Sequence, residues 1–246
     1  MPVYRLPEAA VFPPVEGATK NGLLAVGGDL SPRRLLAAYR EGIFPWYSEG
    51  EPILWWSPDP RFVLFPGELR VTRSMRQFLK KETLRITFDR AFRAVVTACQ
   101  KPRPGQEGTW ITPEMREAYC VLNGMGYAHS VEAWQNETLV GGLYGISLGR
   151  IFFGESMFSH VPNASKAALI ALIGRLKDRG FEMIDCQIET AHLASLGARP
   201  IPRLEFVGLL KEALCHETLQ GDWGALLAAP SETPSAKGMP LRSGTR

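Results

Sequence analysis

The sequence predicts an α/β (α+β) protein in which a small, loop-rich N-terminal domain precedes a larger domain of alternating strands and helices. Three observations support this fold class. The first 60 residues are dense in proline, glycine and aromatic residues. Strand-like and helix-like stretches then alternate along the chain, and three β-rich stretches follow one another between residues 129 and 158. The expected domains are residues 1–61 and 62–228, followed by a disordered tail at 229–246.

Composition indicates a packed globular protein. Hydrophobic residues make up 45% and charged residues 22% of the 246-residue chain, proportions that exclude a disordered protein. No apolar stretch is long enough to cross a bilayer and no secretory leader is evident, so we expect a cytoplasmic protein. The cysteines lie far apart without metal-ligand spacing, and we expect reduced, mostly buried thiols. They are Cys99, Cys120, Cys186 and Cys215.

A short helix is predicted inside the N-terminal domain. Ser31 is its expected N-cap, Pro32 takes the first helical position, and Gly42 ends it. The domain boundary is placed at the SPDPR segment that ends at Arg61.

The larger domain is predicted to alternate strands with helices. In order, we expect a strand at FVLF, a helix over 73–81, a strand at LRITF, a helix over 90–99, a loop over 101–108 and a helix from Thr112 to Asn123. HSVEAWQ, NETLVGGLYGISLG and RIFFGESMF predict an antiparallel meander at the centre of the sheet. Asn163 is expected to cap a helix that Gly180 ends, before a buried strand at FEMIDCQ and a helix over 205–216.

Positive charge is concentrated in the middle of the chain. Residues 61–123 have a net charge of +6, against −2 before and −1 after this segment. Its basic residues recur at helical spacing and would form one stripe: Arg70, Arg73, Arg76 and Lys80, with Lys81 and Arg85 close behind. Such a stripe suits sequence-independent contacts with a phosphate backbone. A solvated helix face explains the same spacing, so both interpretations stay open.

Aromatic residues are clustered near the end of the N-terminal domain. The cluster comprises Trp46, Tyr47, Trp55 and Trp56, and Trp110 follows in the stretch GTWIT. Stacking of a nucleic-acid base on such a ring is worth roughly 1–3 kcal/mol and tolerates any base. Tryptophans also anchor cores and domain interfaces, which is the alternative explanation.

A lone carboxylate interrupts the apolar stretch FFGESMFS. If the stretch is a buried strand, Glu155 needs a partner, either a structural hydrogen-bond donor or a cationic group of a substrate. Strand alternation places Glu155 and Met157 on one face and Gly154 on the other. The glycine indicates a bulge or a close approach of the backbone to a ligand.

Asp185 and Gln187 are two residues apart in FEMIDCQIE, so a strand would project both side chains from the same face, opposite Cys186. A carboxylate in this arrangement can orient the amide, whose carbonyl oxygen can accept a hydrogen from an attacking amine. An aspartate near the end of a strand also often caps the following turn.

Other catalytic motifs are missing from the sequence. The histidines are not spaced for a shared site, and there is no GxSxG elbow, no GxxxxGK[ST] loop and no GxGxxG after a strand. These observations give no support to serine hydrolysis, nucleotide hydrolysis or dinucleotide redox chemistry.

Several motifs together resemble the leucyl/phenylalanyl-tRNA-protein transferase family, over about residues 20–210. They are NGLLAVGGDLSP, GIFPWYSEGEPILWWSPDPR, EGTWIT, AHSVEAW, GGLYG, FFGESMFS, NASKAAL, IDCQ and HLASLGA. The resemblance implies a small N-terminal domain beside an acetyltransferase-like (GNAT-type) mixed-sheet domain. It also implies transfer of Leu or Phe, and less well Met, from aminoacyl-tRNA to N-terminal Arg or Lys of proteins, which marks them for N-end rule degradation.

The resemblance also assigns roles to residues. It implies that Asp185 and Gln187 are catalytic, that Glu155 helps to recognise the basic acceptor, and that no metal or cofactor is needed because the aminoacyl ester is already activated. The expected site for the terminal tRNA adenosine comprises Trp46, Trp110, Gly154 and Glu155. The expected pocket for the aminoacyl side chain comprises Leu143, Phe152, Met157 and Ile184. The basic stripe of Arg70, Arg73, Arg76, Lys80 and Lys81 would contact tRNA phosphates.

Two other functions remain as alternatives. An acyl-CoA-dependent N-acetyltransferase would share the implied fold, although FSHVPNASK offers no glycine at the helix start for a pyrophosphate. A noncatalytic tRNA-binding module would need only the aromatic cluster and the basic stripe. We expect a monomer, because tRNA and a protein terminus must reach the same site.

Overall fold

The computed structural model describes residues 3–101 and 109–227. Most of the predicted loop over 101–108 and the predicted tail at 229–246 lie outside the described residues. Within the described ranges, no helix combines the length and the apolar composition needed to cross a membrane.

The N-terminal part forms a small sheet, one α-helix and a short 3-10 helix at Val15–Gly17. Its elements are β1 (Tyr4–Arg5), β2 (Leu23–Val26), α1 (Pro32–Arg40), β3 (Phe44–Pro45) and β4 (Leu54–Trp56). The sheet has the order β1-β2-β4-β3, with β1 parallel to β2 and the other pairs antiparallel. Helix α1 begins as predicted, because Ser31 Oγ accepts the backbone N–H of Arg34 at 3.3 Å. Gly42 follows the helix with φ +72°.

The second part contains the remaining elements. Its first half comprises β5 (Arg61–Leu64), α2 (Arg73–Lys80), β6 (Arg85–Phe88), α3 (Phe92–Gln100), α4 (Pro113–Gly124), β7 (Ala128–Gln135) and β8 (Thr138–Leu148). Its second half comprises β9 (Ile151–Ser159), α5 (Ala164–Asp178), β10 (Met183–Gln187), α6 (Ala191–Ser195), β11 (Arg199–Ile201), α7 (Arg203–Leu214) and α8 (Trp223–Leu226).

These strands form a seven-stranded sheet with the order β11-β5-β10-β9-β8-β7-β6. The predicted antiparallel meander is β7-β8-β9, and β9 lies at the centre of the sheet. The pair β9/β10 is parallel, whereas the other described pairs of this sheet are antiparallel. The predicted α/β class is therefore confirmed, with two mixed sheets.

Apolar side chains pack on both faces of the large sheet. On one face, the first core combines β-strand residues such as Phe153 with side chains of α1, α3, α4 and α7, and it includes Trp55 of the small sheet. On the other face, the second core combines Phe152 with side chains of α5 and with Trp223 of α8. Because the first core contains residues of both sheets, the N-terminal part packs directly against the sheet that carries the site.

The start of α5 differs from the sequence prediction. Asn163 occupies the N-cap position, but its backbone is left-handed with φ +70° and its side chain makes no capping hydrogen bond. Ser159 Oγ instead accepts the N–H of Ser165 at 3.3 Å. The capping group comes from the end of β9, so it lies four residues before the position at which the sequence pattern places it.

The prediction of mostly buried cysteines is wrong. None of the four, all of which lie within the described residues, forms a disulfide, but only Cys99 is buried; Cys120 and Cys186 are half-buried, and Cys215 is exposed. Cys215 directly follows the end of α7, where the chain turns at the surface.

Candidate active site where two strands part

The site lies where β9 and β10 separate. The two strands pair in parallel only as far as Phe153 and Asp185. Just beyond this point each strand carries an extra residue relative to its other neighbour: Glu155 against β8, and Cys186 against β5. Two bulges at adjacent positions bend the strands and open a gap in the sheet.

The bulge in β9 changes which side chains share a face. Glu155 bonds to tyrosines of the first core, whereas Met157 packs against the second core. The prediction that Glu155 and Met157 share a face is therefore wrong, because one inserted residue inverts the strand alternation. The alternative offered for Gly154, a bulge beside it, is confirmed by the pairing.

Space remains open beside Gly154. A Cβ built there would meet only the carbonyl oxygen of Asp185, at 3.6 Å, among the described residues. At Gly145, the partner of Gly154 in β8, a Cβ would lie 2.1 Å from the carbonyl oxygen of Phe153. Gly145 is thus required by backbone packing, whereas Gly154 leaves room at the gap.

Glu155 has the buried partners that the sequence analysis required. Its Oε1 accepts the hydroxyl of Tyr39 at 2.8 Å and Nε2 of Gln187 at 3.0 Å, and its Oε2 accepts the hydroxyl of Tyr119 at 2.8 Å. The two tyrosine oxygens lie 2.7 Å apart. Tyr39 comes from α1 and Tyr119 from α4, so Glu155 connects the N-terminal part with the large sheet.

The electrostatics of Glu155 are unusual for a carboxylate. Burial raises its pKa from 4.5 to about 7, and the negative charge of Asp185 acts in the same direction. The hydrogen bonds from Tyr39, Tyr119 and Gln187 oppose this effect by stabilising the anion. Within the described residues, no Lys or Arg forms an ion pair with Glu155. Its charge is therefore held by neutral donors alone.

Asp185 is fully buried in a two-point ion pair with Arg61. Arg61 Nε donates to Asp185 Oδ1 at 2.8 Å, and Nη2 donates to Oδ2 at 2.7 Å. The guanidinium lies between the rings of Phe44 and Phe206, 4.8 and 4.6 Å from their centroids. This geometry keeps the carboxylate away from solvent and fixes its orientation.

Gln187 shares a face with Asp185, as predicted, while Cys186 packs on the other side against the second core. The expected contact between the two side chains is wrong, however. Asp185 Oδ1 accepts the backbone N–H of Gln187 at 2.9 Å, and the amide side chain is oriented by Glu155 instead. Asp185 therefore holds the backbone at Gln187, while Glu155 orients the amide side chain.

The backbone at Gln187 forms a γ-turn. Its φ is +63°, and the N–H of Ile188 donates to the carbonyl oxygen of Cys186 at 2.7 Å. A γ-turn with positive φ at a residue other than glycine is rare and costs about 1–3 kcal/mol. The Nε2 group is bound to Glu155, and no described residue donates to the Oε1 atom of Gln187. This oxygen is available to accept a hydrogen from a ligand.

Three residues of this network were missed by sequence reasoning: Arg61, Tyr39 and Tyr119. Arg61 ends the SPDPR segment and begins the buried strand β5. An arginine at the start of an apolar strand was the sequence signal that could have indicated a buried ion pair. The two tyrosines lie on helices, and no sequence pattern indicates that their hydroxyls meet one carboxylate.

The two tryptophans predicted to hold adenosine lie on neighbouring segments. Trp46 is 40% exposed and packs at an angle on Trp56, with ring centroids 5.8 Å apart. Trp110 is half-buried against the first core. The hydroxyls of Tyr47 and Thr112 lie 3.4 Å apart and join the two segments.

The four residues predicted to line an aminoacyl pocket lie together on the second-core face. Leu143 pairs with Met157 across β8 and β9, and Phe152 pairs with Ile184 across β9 and β10. Leu143, Phe152 and Ile184 are buried, and Met157 is partly exposed. The set therefore lies beside the same gap, on the opposite side from Glu155.

The basic stripe is exposed along its whole length. Helix α2 presents Arg73, Arg76 and Lys80 to solvent and buries Met75. Arg70 precedes the helix, so it extends the basic surface without belonging to the helical face. Within residues 3–101 and 109–227, the ion pairs found do not include any member of the stripe from Arg70 to Lys81.

Comparison with solved structures gives partial matches at low sequence identity. One is an aminoglycoside acetyltransferase from an uncultured soil metagenomic sample, 14% identical, covering 53% of this chain and 89% of its own, with a TM-score of 0.37. L-PGS from Bacillus licheniformis is 10% identical and covers 68% of this chain and 54% of its own, with a TM-score of 0.38.

Curated relatives match almost the whole chain. A leucyl/phenylalanyl-tRNA–protein transferase of Syntrophus aciditrophicus is 62% identical over 91% of this chain and 94% of its own length. The transferase of Azotobacter vinelandii is 61% identical over 82% and 91%, and that of Myxococcus xanthus is 56% identical over 91% and 97%. The sequence profile of the leucyl/phenylalanyl-tRNA protein transferase family matches residues 63–211, and that of its N-terminal domain matches residues 28–59. The chain belongs to the leucyl/phenylalanyl-tRNA protein transferase family.

Proposed function

We propose that the protein transfers Leu or Phe, and less well Met, from aminoacyl-tRNA to the N-terminal Arg or Lys of acceptor proteins. The new peptide bond marks the acceptor for N-end rule degradation. The names of the curated relatives support the reaction class. The observation that carries the proposal for the site is the hydrogen bond between Gln187 Nε2 and Glu155 Oε1 at the gap between β9 and β10.

Glu155 is proposed to recognise the basic acceptor residue. Its carboxylate is buried among Tyr39, Tyr119 and Gln187, which donate hydrogen bonds but carry no positive charge. A guanidinium or ammonium group would supply the missing charge and lower the pKa of Glu155 from about 7. Neutral N-terminal residues offer no such compensation, so this arrangement favours Arg and Lys.

Gln187 is proposed to orient the attacking amine. An α-amino group has a pKa of about 7.7–8.0, so part of the acceptor is neutral at pH 7. Since Nε2 is held by Glu155, Oε1 can accept one hydrogen of that amine and aim its lone pair at the ester carbonyl carbon. The new C–N bond forms as the bond to the ribose oxygen breaks, and the ribose oxygen receives a proton that the amine loses. The bonds of Asp185 to Arg61 and to the Gln187 backbone support an indirect role for this carboxylate in catalysis.

The donor is proposed to lie across the gap. Trp46 and Trp110 would hold the terminal adenosine by stacking, next to the open space at Gly154 and near Glu155. The aminoacyl side chain would enter the pocket lined by Leu143, Phe152, Met157 and Ile184. Unbranched and aromatic neighbours accept Leu and Phe and reject β-branched side chains by shape.

The basic stripe is proposed to hold the phosphates of the acceptor stem. Arg70, Arg73, Arg76, Lys80 and Lys81 are exposed, and their charges are free for a polyanion because intramolecular ion pairs to them are lacking among the described residues. We further propose that the protein works as a cytoplasmic monomer without metal or cofactor, and that residues 1–61 and 62–228 are its two domains.

Transfer of radiolabelled Leu from Leu-tRNA tests this function. Two peptides that differ only in N-terminal Arg or Ala serve as acceptors. The wild type is compared with Trp110→Ala and with Trp134→Phe, a tryptophan variant in β7 whose ring contacts Thr87, Arg85 and Arg90 rather than the proposed site. We expect labelling of the Arg peptide alone, weakened by Trp110→Ala and kept by Trp134→Phe. Binding of tRNA without any labelling would favour an RNA-binding module, and tight binding of CoA would favour an N-acetyltransferase.

A further inference from the structure

Arg61 is an arginine of the candidate site that is fully buried. Its guanidinium is fully buried between Phe44 of the small sheet and Phe206 of α7. Its Nε and Nη2 bind the two oxygens of Asp185, and its remaining nitrogen, Nη1, has no hydrogen-bond partner among the described residues. Most buried side-chain donors are paired, so the unpaired Nη1 of Arg61 calls for a physical explanation.

The Asp185 carboxylate connects Arg61 to the turn at the end of β10. Its Oδ1 accepts both Arg61 Nε and the backbone N–H of Gln187. That N–H belongs to the residue with φ +63°, at the centre of the γ-turn closed by Ile188 and Cys186. Strained backbone of this kind persists only where surrounding interactions hold it in place.

The γ-turn determines the direction of the Gln187 side chain. With its backbone held by Asp185, the amide reaches back toward β9 and donates to Glu155 at 3.0 Å. If Gln187 relaxed to an extended conformation, its side chain direction relative to β9 would change, because side chains alternate along a regular strand.

We propose that Arg61 is a positioning residue for the transfer reaction, which holds Gln187 in its γ-turn through Asp185. The catalytic part of this proposal rests on the proposed function, whereas the conformational part does not. Lysine cannot reproduce the two-point contact, since its ammonium presents no planar fork to a carboxylate. Arg61→Lys keeps the charge that balances Asp185 but loosens the orientation of its oxygens.

The first measurement is conformational and needs no substrate. Backbone hydrogen exchange of Gln187 is compared by NMR with that of Ile184, which lies in the paired part of β10. In Arg61→Lys we expect the exchange of Gln187 relative to Ile184 to accelerate about tenfold, the effect of one weakened hydrogen bond. An unchanged ratio would refute the proposal, whatever the activity of the protein.

The second measurement is steady-state transfer to an Arg peptide. In Arg61→Lys we expect kcat to fall about tenfold to a hundredfold, with KM for aminoacyl-tRNA changed by less than about threefold, because positioning is lost while donor contacts remain. Arg61→Lys added to Asp185→Asn should lower kcat little further, since both changes act through the same carboxylate.

Arg34→Lys is the matched control. Arg34 is also fully buried and binds Asp29 and the carbonyl oxygens of residues 7–9, but it does not contact Asp185. Its replacement should lower thermal stability and leave both kcat and the Gln187 exchange ratio unchanged. An equal loss of kcat in Arg34→Lys would reduce the Arg61 effect to general destabilisation. A wild type that transfers nothing would refute the proposed function, and the exchange ratio would still decide the role of Arg61.

Discussion

Replacing Glu155 with glutamine should remove a specific pH dependence of stability. The pKa of Glu155 is raised from 4.5 to about 7 in the folded protein, mainly by burial. Between these values the folded state binds more protons than the unfolded chain, so stability falls as the pH rises. Integration of this difference from pH 5 to pH 8 gives a loss of about 2–3 kcal/mol from this single group.

Urea unfolding at pH 5 and pH 8 measures the effect. Groups other than Glu155 titrate alike in the wild type and in Glu155→Gln, so their contributions cancel in the difference between the two proteins. We expect that difference to move by about 2–3 kcal/mol in favour of the variant between pH 5 and pH 8. Glu68→Gln provides a contrast, because Glu68 is exposed and its ion pair with Arg199 lowers its pKa. If the wild type and Glu155→Gln lost stability in parallel over this range, the raised pKa of Glu155 would be wrong.

Three further predictions concern the substrates and the network. Arg76→Ala together with Lys80→Ala should raise KM for aminoacyl-tRNA. The slope of log KM against log salt concentration, measured between 50 and 200 mM salt, should fall by about two units. An unchanged slope would indicate a solvated helix face that does not contact tRNA. Tyr119→Phe removes a donor to a buried carboxylate, so it should lower the free energy of unfolding by about 1.5–3 kcal/mol at pH 8. The same change should raise the pKa of Glu155, which would shift the pH–rate profile to higher pH. Leu143→Met conserves side-chain volume and should change the ratio of kcat/KM for Leu and Phe donors by less than about tenfold, as measured by competition between the two charged tRNAs; a larger change would make this position the main determinant of donor choice.

Elements whose signals are local could be predicted from the sequence. Ser31 with Pro32 and Thr112 with Pro113 carry both the N-cap and the first helical residue, and both helices begin where these residues predict. The meander was also predictable, because Asn136 with Glu137 and Gly149 with Arg150 separate its three strands. In these cases neighbouring residues alone decide the backbone conformation.

The site was predictable only in part. Strand patterns and family motifs both drew attention to Glu155, Asp185 and Gln187, but the bulges that set their directions depend on how four strands pair. The partner of Asp185 lies 124 residues away in the sequence, and one donor to Glu155 lies 116 residues away. Contacts over such distances depend on the packing of whole elements, and no local pattern records them.

The hydroxyl of Tyr39 connects the N-terminal part to the candidate site on the large sheet. Because Tyr39 is carried by α1 and its hydroxyl is fixed on Glu155, a shift of the N-terminal part by even an ångström would break that hydrogen bond. The N-terminal part is therefore not an accessory that could be removed without disturbing the hydrogen bonds of Glu155. Exchanging the N-terminal part between relatives should preserve activity only where the position of this helix is preserved together with its tyrosine.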